Sequence, residues 1–458
     1  MAYQTLNPYT NKVEHEYENT TPEELEHTLQ TSYDLYQYWR THDELEARKD
    51  VIRKLGQLLR DNKHHLAELM TRDMGKLIGE AEGEVELCAS FCDYYVAHAD
   101  KFLAPEQLST GSGRAYMLKQ AMGVLVAVEP WNFPLYQVAR VFVPNFLVGN
   151  PMILKDASIC PTSVQAFADL VKEAGAPEGS LTNLFATYDQ VAQAIADKRT
   201  AAVCLTGSER AGAIIASEAG KAMKKSTLEL GGNDAFIVAD DADLDLLKKT
   251  LPFARLYNAG QVCTSSKRFI VNAKVYDKFL EMLKGVFSSV KMGDPLDPNT
   301  TLAPMCSKKA KEKLQQQVDT AVDNGAKVYY GNKPVDLSGQ FFMPTILTDI
   351  SKDNPVFDTE LFGPVASVYK VQDDDEAIAI ANDSSYGLGS TVFSANRDHA
   401  EALAARIETG MTWINSGWAS SPELPFGGIK HSGYGRELYK LGFSEFINEH
   451  LVYTPKQA

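Results

Sequence analysis

From about residue 114 onward the chain alternates short apolar runs with helical stretches, and this alternation constrains the fold more than any other feature. Residues 114–120 read as a strand, and Gly123 leads into the apolar run 124–128. Pro134 suits the first turn of a helix running to about 148, where its missing N–H costs nothing. Strands follow at 152–155, 181–185, 201–206 and 227–230, with helices at 161–174, 189–197 and 209–222 between them. Strands separated by helices lie parallel in one sheet with helices on both faces. Ligands of such sheets sit beyond the carboxyl ends of the strands.

Upstream, residues 22–100 read mostly as helices with charged faces. His64 and His65 are adjacent and do not share a helix face, so no metal site is expected there. Cys88 and Cys92 are one turn apart and read as core thiols. Downstream, a second α/β block spans about 233–435, with strands near 235–238, 268–271, 327–330, 365–370 and 412–415. The tail ends in a strand-like run at 451–453. A lone terminal strand needs a partner, and another subunit is one way to supply it.

Composition narrows the partners. The 458 residues, 44 % hydrophobic, suffice for one large or two to three ordinary domains. A net charge of −15 argues against nucleic acid or anionic lipid as the main partner, and an anionic substrate would need locally placed Arg or Lys. Six cysteines form no disulfide framework, which points to a reducing compartment. No run approaches the roughly 18 apolar residues of a membrane span, and the segment 1–4 lacks the features of a signal peptide. A cytoplasmic protein is the expectation.

Cys263 stands between Gly260 and the hydroxyl residues Thr264, Ser265 and Ser266. Glu229 stands before Gly231 and Gly232. A thiol nucleophile and a carboxylate base are what an enzyme needs to form an acyl-thioester and hydrolyse it. Taken singly, a Cys such as Cys263 is more often core than nucleophile, and a Glu such as Glu229 is usually a solvated or salt-bridged strand end. The Gly207–Gly212 turn follows a strand and opens a helix, and its free N–H groups suit a pyrophosphate or merely cap the helix. It is neither a Walker A motif nor a dinucleotide fingerprint. Asn132, where a strand meets a helix, is a turn residue or a donor to a developing oxyanion. Residues 427–435 hold four glycines and must be a loop with several positive-φ positions.

Together these segments identify a resemblance to the aldehyde dehydrogenase superfamily over nearly the whole length. It rests on residues 130–134, the Lys155 segment, 206–208, 228–232, 260–263, 360–364 and 425–437. The resemblance implies an α/β fold with a Rossmann-like cofactor domain, an α/β catalytic domain and a small β oligomerisation flap. By it, residues 1–230 hold the cofactor domain, with the oligomerisation hairpin inserted near 113–122. Residues 231–436 form the catalytic domain, and 437–458 a tail completing the oligomerisation region. It also implies a homodimer or homotetramer.

Carried over by position, Cys263 is the nucleophile, Asn132 and the Cys263 N–H hold the oxyanion, and Glu229 activates water. Glu360 and Phe362 match the residues that hold the nicotinamide ribose and ring. Lys155 matches the adenosine-ribose contact. Trp131, Gly207, Ser208, Gly212 and Leu230 complete the implied cofactor site, and no metal is implied. Many NAD-preferring relatives carry Glu where Ser158 stands. Its loss removes repulsion against a 2′-phosphate, so NADP is expected, with NAD as the alternative; Asp156 opposes a phosphate unless its side chain points away.

Within the superfamily the chain is most similar to short bacterial succinate-semialdehyde dehydrogenases. Arg140 matches an Arg that pairs with the substrate's far carboxylate, against the alternative of a structural salt bridge. Ser421 matches a second contact. A further Arg of some of these enzymes is Tyr257 here, with Arg255 nearby. The expectation is oxidation of succinate semialdehyde. The alternatives are an NAD-linked enzyme for another small aldehyde and a non-catalytic protein on the same scaffold.

Overall fold

Two sheets, each parallel except for one edge strand, carry most of the chain in the computed structural model, which describes residues 3–456. Residues 1–2, half of the segment read above for a signal peptide, and residues 457–458 lie outside the described residues. The first sheet has six strands in the order Gly433–Tyr434, Lys225–Glu229, Thr200–Thr206, Val124–Val128, Met152–Lys155 and Leu181–Asn183. The last five are parallel. Their register sets Val128 beside Lys155 and Leu205, and Thr206 beside Glu229, so the carboxyl ends line up as one ledge. The helices between them fall where the apolar periodicity placed them.

The expected division at residue 230 needs one amendment. Gly433–Tyr434, from the glycine-rich loop, returns to the first sheet and pairs antiparallel with Leu228 and Glu229. Gly433 has φ 107°, and a Cβ there would lie 2.0 Å from the Leu228 carbonyl oxygen, so only glycine lets the loop approach this closely. Gly427, Gly435 and Lys430 also have positive φ, as the loop's composition required.

The second sheet has seven strands in the order Lys327–Tyr330, Thr345–Thr348, Val365–Val371, Arg268–Asn272, Ala235–Val238, Gly389–Phe393 and Met411–Ile414. Only the Lys327–Tyr330 pairing is antiparallel. The sequence reading missed Thr345–Thr348 and Gly389–Phe393. Both carry threonine, serine or glycine at their ends, and burial on both faces gives them no alternation to detect. It also missed the amino-terminal hairpin of Tyr3–Asn7 with Lys12–Tyr17.

The tail strand finds its partner within the chain rather than on another subunit. Ile447–Pro455 runs antiparallel along all of Gly113–Ala121, from Ile447 opposite Ala121 to Pro455 opposite Gly113. Glu106–Leu108 completes this three-stranded sheet. The main core gathers around the helix Pro134–Val148, all 15 residues of which are buried. Cys88 and Cys92 pack into the same core, as expected. Among the described residues, no helix is long and apolar enough to cross a membrane, and no group of three His, Cys, Asp or Glu could hold a metal.

Candidate active site

A cavity of about 250 Å³ opens at the ledge of strand ends. Its walls include Trp131, Asn132, Gly207, Ser208, Leu230, Cys263, Glu360 and Phe362, which the sequence placed in the site. Gln137, Thr206 and Lys313 also line it and were missed. Gln137 stands one helical turn before Arg140 on a helix buried on every side, and its amide oxygen has no partner. A polar residue on so apolar a helix was the signal that could have found it. A larger cavity of about 900 Å³ lies beside the three-stranded sheet and holds none of the predicted site residues.

The nucleophile loop is shaped by backbone rather than by side chains. Asn258, Ala259 and Gly260 all take left-handed φ values, 50°, 51° and 72°. For Asn258 and Ala259 this conformation is unfavourable and must be held by neighbours. Asn258 donates its amide to the Asn132 carbonyl at 3.0 Å, and its N–H to a Glu80 carboxylate oxygen at 3.0 Å. Asn132 in turn donates its side-chain amide to the Gln261 carbonyl at 3.1 Å. The predicted oxyanion donor and the nucleophile loop are thereby locked together. Cys263 is half-buried, whereas the other five thiols are buried. Desolvation pushes the Cys263 thiol up to about 12, and the nearby cations Lys267 and Arg140 oppose this.

Glu229 ends its strand beside Thr206 but does not share the cavity wall with Cys263; its neighbours Leu230 and Gly231 do. Its carboxyl lies behind them. A Cβ on Gly427 would sit 2.6 Å from one of its oxygens, and the other has no hydrogen-bond partner. Desolvation, then the neighbouring Glu437, holds its pKa well above the carboxylate range. This is the condition of a base that takes a proton readily.

Arg140 makes the contacts of the second reading given for it, a structural salt bridge. It does not line the cavity. Its guanidinium is sealed from solvent and paired with Glu437. It donates further to the Tyr136 hydroxyl and to Thr206 Oγ1, both at 3.2 Å, and lies over the Phe426 ring. Its guanidinium thus meets protein groups at Glu437, Tyr136 and Thr206. Ser421 is also off the cavity and donates to a Glu423 carboxylate oxygen at 2.5 Å. Its neighbour Ser420 is the one that meets the Tyr136 hydroxyl, at 2.8 Å. Tyr257 stacks 6.2 Å from Phe133, and the Arg255 guanidinium, fully buried, binds the carbonyls of Gly260, Leu361, Gly363 and Val365.

Of the cofactor candidates, Trp131, Gly207, Ser208, Leu230, Glu360 and Phe362 line the cavity, and Lys155, Ser158 and Gly212 do not. Trp131 and Phe362 meet edge-to-face at 5.8 Å. One Glu360 oxygen accepts the Gly232 N–H at 3.1 Å and faces the Lys267 ammonium at 3.3 Å; a Cβ on Gly231 would collide with the other oxygen. Ser208 caps the helix Glu209–Lys221 by accepting the Ala211 N–H at 3.3 Å. Gly212 is required by packing, because a Cβ there would lie 2.8 Å from Leu230. At the end of the strand Met152–Lys155, two strands away from Thr200–Thr206, Lys155 donates to the Asp156 carbonyl at 2.5 Å and has no carboxylate within salt-bridge distance among the described residues. Ser158 accepts the Gln4 N–H on its carbonyl at 3.1 Å. The Asp156 side chain is fully buried with neither oxygen hydrogen-bonded, and burial pushes it up to about 8, against the lowering effect of Lys155.

These residues therefore fit a nicotinamide dinucleotide: aromatic walls, a carboxylate for ribose hydroxyls, a helix N-terminus and an unpaired lysine. Comparison with known proteins agrees. The model of the aldehyde dehydrogenase family matches residues 1–452. The chain is 44 % identical to the succinate-semialdehyde dehydrogenase [NADP(+)] of Deinococcus radiodurans, over 98 % of this chain and 94 % of that protein. It is 38 % identical to a succinate semialdehyde dehydrogenase [NAD(P)+] of Escherichia coli, over 95 % and 94 %. The crystal structure of succinic semialdehyde dehydrogenase from Streptococcus pyogenes, in complex with NADP+, superposes with a TM-score of 0.99 at 60 % identity, covering 99 % of this chain and all of that one.

Proposed function

The chain belongs to the aldehyde dehydrogenase family, and from that premise we propose that it oxidises succinate semialdehyde to succinate with NADP. The observation that carries the reading is the cavity at the strand ends. It joins a half-buried thiol and an amide donor to an aromatic and carboxylate-bearing wall. Relatives at 38–44 % identity and a solved neighbour at 60 % carry the same substrate in their names, with NADP in each.

The Cys263 thiolate attacks the aldehyde carbon to give a thiohemiacetal. Asn132 and the Cys263 N–H hold the oxygen as charge builds on it. NADP, when bound, supplies the hydride acceptor, and Trp131, Glu360, Phe362, Gly207, Ser208, Leu230 and Lys155 would hold it. Collapse of the thiohemiacetal leaves an acyl-thioester on Cys263. Glu229 then takes a proton from water, the hydroxide displaces the thiolate, and the carboxylate departs. With Arg140 engaged elsewhere, the far carboxylate has Gln137 and the hydroxyl groups of the cavity mouth to meet.

The exposed three-stranded sheet supports a homodimer or homotetramer, and the six unpaired thiols support a reducing, cytoplasmic setting. Initial rates with succinate semialdehyde, run with NADP and NAD in parallel, test the proposal. Higher kcat/KM with NADP than with NAD is expected, as is higher kcat/KM for succinate semialdehyde than for butanal. Preference for butanal would overturn the substrate, and preference for NAD the cofactor.

A further inference from the structure

Lys267 is 1 % exposed, and its ammonium meets two carbonyls and one carboxylate. It donates to the Val262 carbonyl at 2.8 Å, to the Cys263 carbonyl, and faces a Glu360 oxygen at 3.3 Å. Burying a lysine this completely is costly unless each donor is used. Two of the three are spent on the carbonyls that flank the nucleophile.

The Val262 carbonyl and the Cys263 N–H belong to one planar trans peptide and point in opposite directions. Val262 O also accepts the Ser265 N–H at 3.2 Å. The plane of this peptide is thus held from its carbonyl side, and the Cys263 N–H is aimed the other way. That N–H donates to no group among the described residues. A cation on the carbonyl also draws electron density through the amide and makes the N–H a stronger donor.

We propose that Lys267 is a positioning residue of the oxyanion site. It aims and polarises the Cys263 N–H through the Val262 carbonyl, and it ties that peptide to Glu360 on the cavity wall. The inference rests on Cys263 being the nucleophile, as in the function proposed above, but not on which aldehyde is oxidised. The other charged groups facing Lys267 are Asp234, buried with neither oxygen hydrogen-bonded, and Glu360.

Three variants test it. Lys267→Arg keeps the charge and the donors, Lys267→Gln keeps a donor without charge, and Lys267→Met keeps neither. Two reactions are read: aldehyde oxidation, and acylation of Cys263 by p-nitrophenyl acetate, which passes through the same oxyanion without a hydride acceptor. Removing an oxyanion donor outright costs about 10²–10³ in kcat, so weakening one is expected to cost about 10–100-fold in Lys267→Met. KM for the aldehyde should stay within about twofold, and the order should be wild type, Arg, Gln, Met in both reactions. Lys267→Met acylating at the wild-type rate would overturn the proposal. Should that variant not fold, equal rates for Arg and Gln would overturn it, and failure of all three to fold would assign Lys267 a purely structural role. If wild type fails on succinate semialdehyde while the ester series keeps its order, the substrate assignment falls and this inference stands.

Discussion

Arg140 and Glu437 form an ion pair sealed from solvent, joining the central helix Pro134–Val148 to the end of the glycine-rich loop. This contact favours the architectural reading of Arg140 over the substrate-binding one. It also sets a buried carboxylate, Glu437, beside the proposed base Glu229.

Arg140→Met leaves Glu437 buried without its cation. Breaking one side of a buried pair costs about 3–5 kcal/mol, so urea denaturation should show a large drop in midpoint. The ratio of kcat/KM for succinate semialdehyde to that for butanal should not move. A KM increase confined to the carboxylated aldehyde would return Arg140 to the substrate.

Cys263→Ala should abolish turnover. In the wild type without cofactor, iodoacetamide should label one cysteine per folded chain, because the other five thiols are buried. Burial raises the Cys263 thiol to about 12, so the thiolate is scarce at neutral pH and the labelling rate should climb about tenfold per pH unit between about pH 7 and 10. Labelling that levels off near pH 7 would show a thiol already activated.

Glu229 acts as base only when ionised, and its pKa is raised. Hydrolysis should therefore gain rate with rising pH through that raised value, not through the ordinary carboxylate range near 4. Glu229→Gln should lose about 10²–10⁴ in kcat while still giving a stoichiometric burst of NADPH. Absence of the burst would place Glu229 before the thioester rather than after it.

Asp156 is the clearest pH-linked stability group. Its pKa is raised to about 8 by burial. The unfolded chain ionises it near 3.9, so its contribution is intact below about pH 4 and is lost as pH rises toward 8. Asp156→Asn should melt above wild type at about pH 9 and match it at about pH 4. The reverse order would mean that the ionised carboxylate is stabilised in the fold.

Lys155→Ala should raise KM for NADP far more than for NAD, since its ammonium has no carboxylate within salt-bridge distance among the described residues. Equal increases for both cofactors would remove the 2′-phosphate assignment.

Much of this molecule can be read from residue order alone, because the determining forces are local. Apolar runs broken by helical periods fix a parallel sheet, and glycines at 427, 433 and 435 permit the positive φ that the loop adopts there. Cys263 and Asn132 sit in segments whose chemistry is intelligible alone, whereas Glu360 and Phe362 came only from the family resemblance. Short strands such as Thr345–Thr348, buried on both faces, have no alternation to betray them.

What folding alone decided is which charges meet. No pattern near residue 140 reveals that its guanidinium will be neutralised by residue 437, nor that Gly433 will bring that loop onto the strand of Glu229. Likewise the amide aimed by Lys267, and the carboxylate of Glu229 turned away from the cavity, depend on distances between segments far apart in the chain. Electrostatic energy falls off with separation in space, not along the backbone, so the roles of buried ions become visible only once the chain has closed around them.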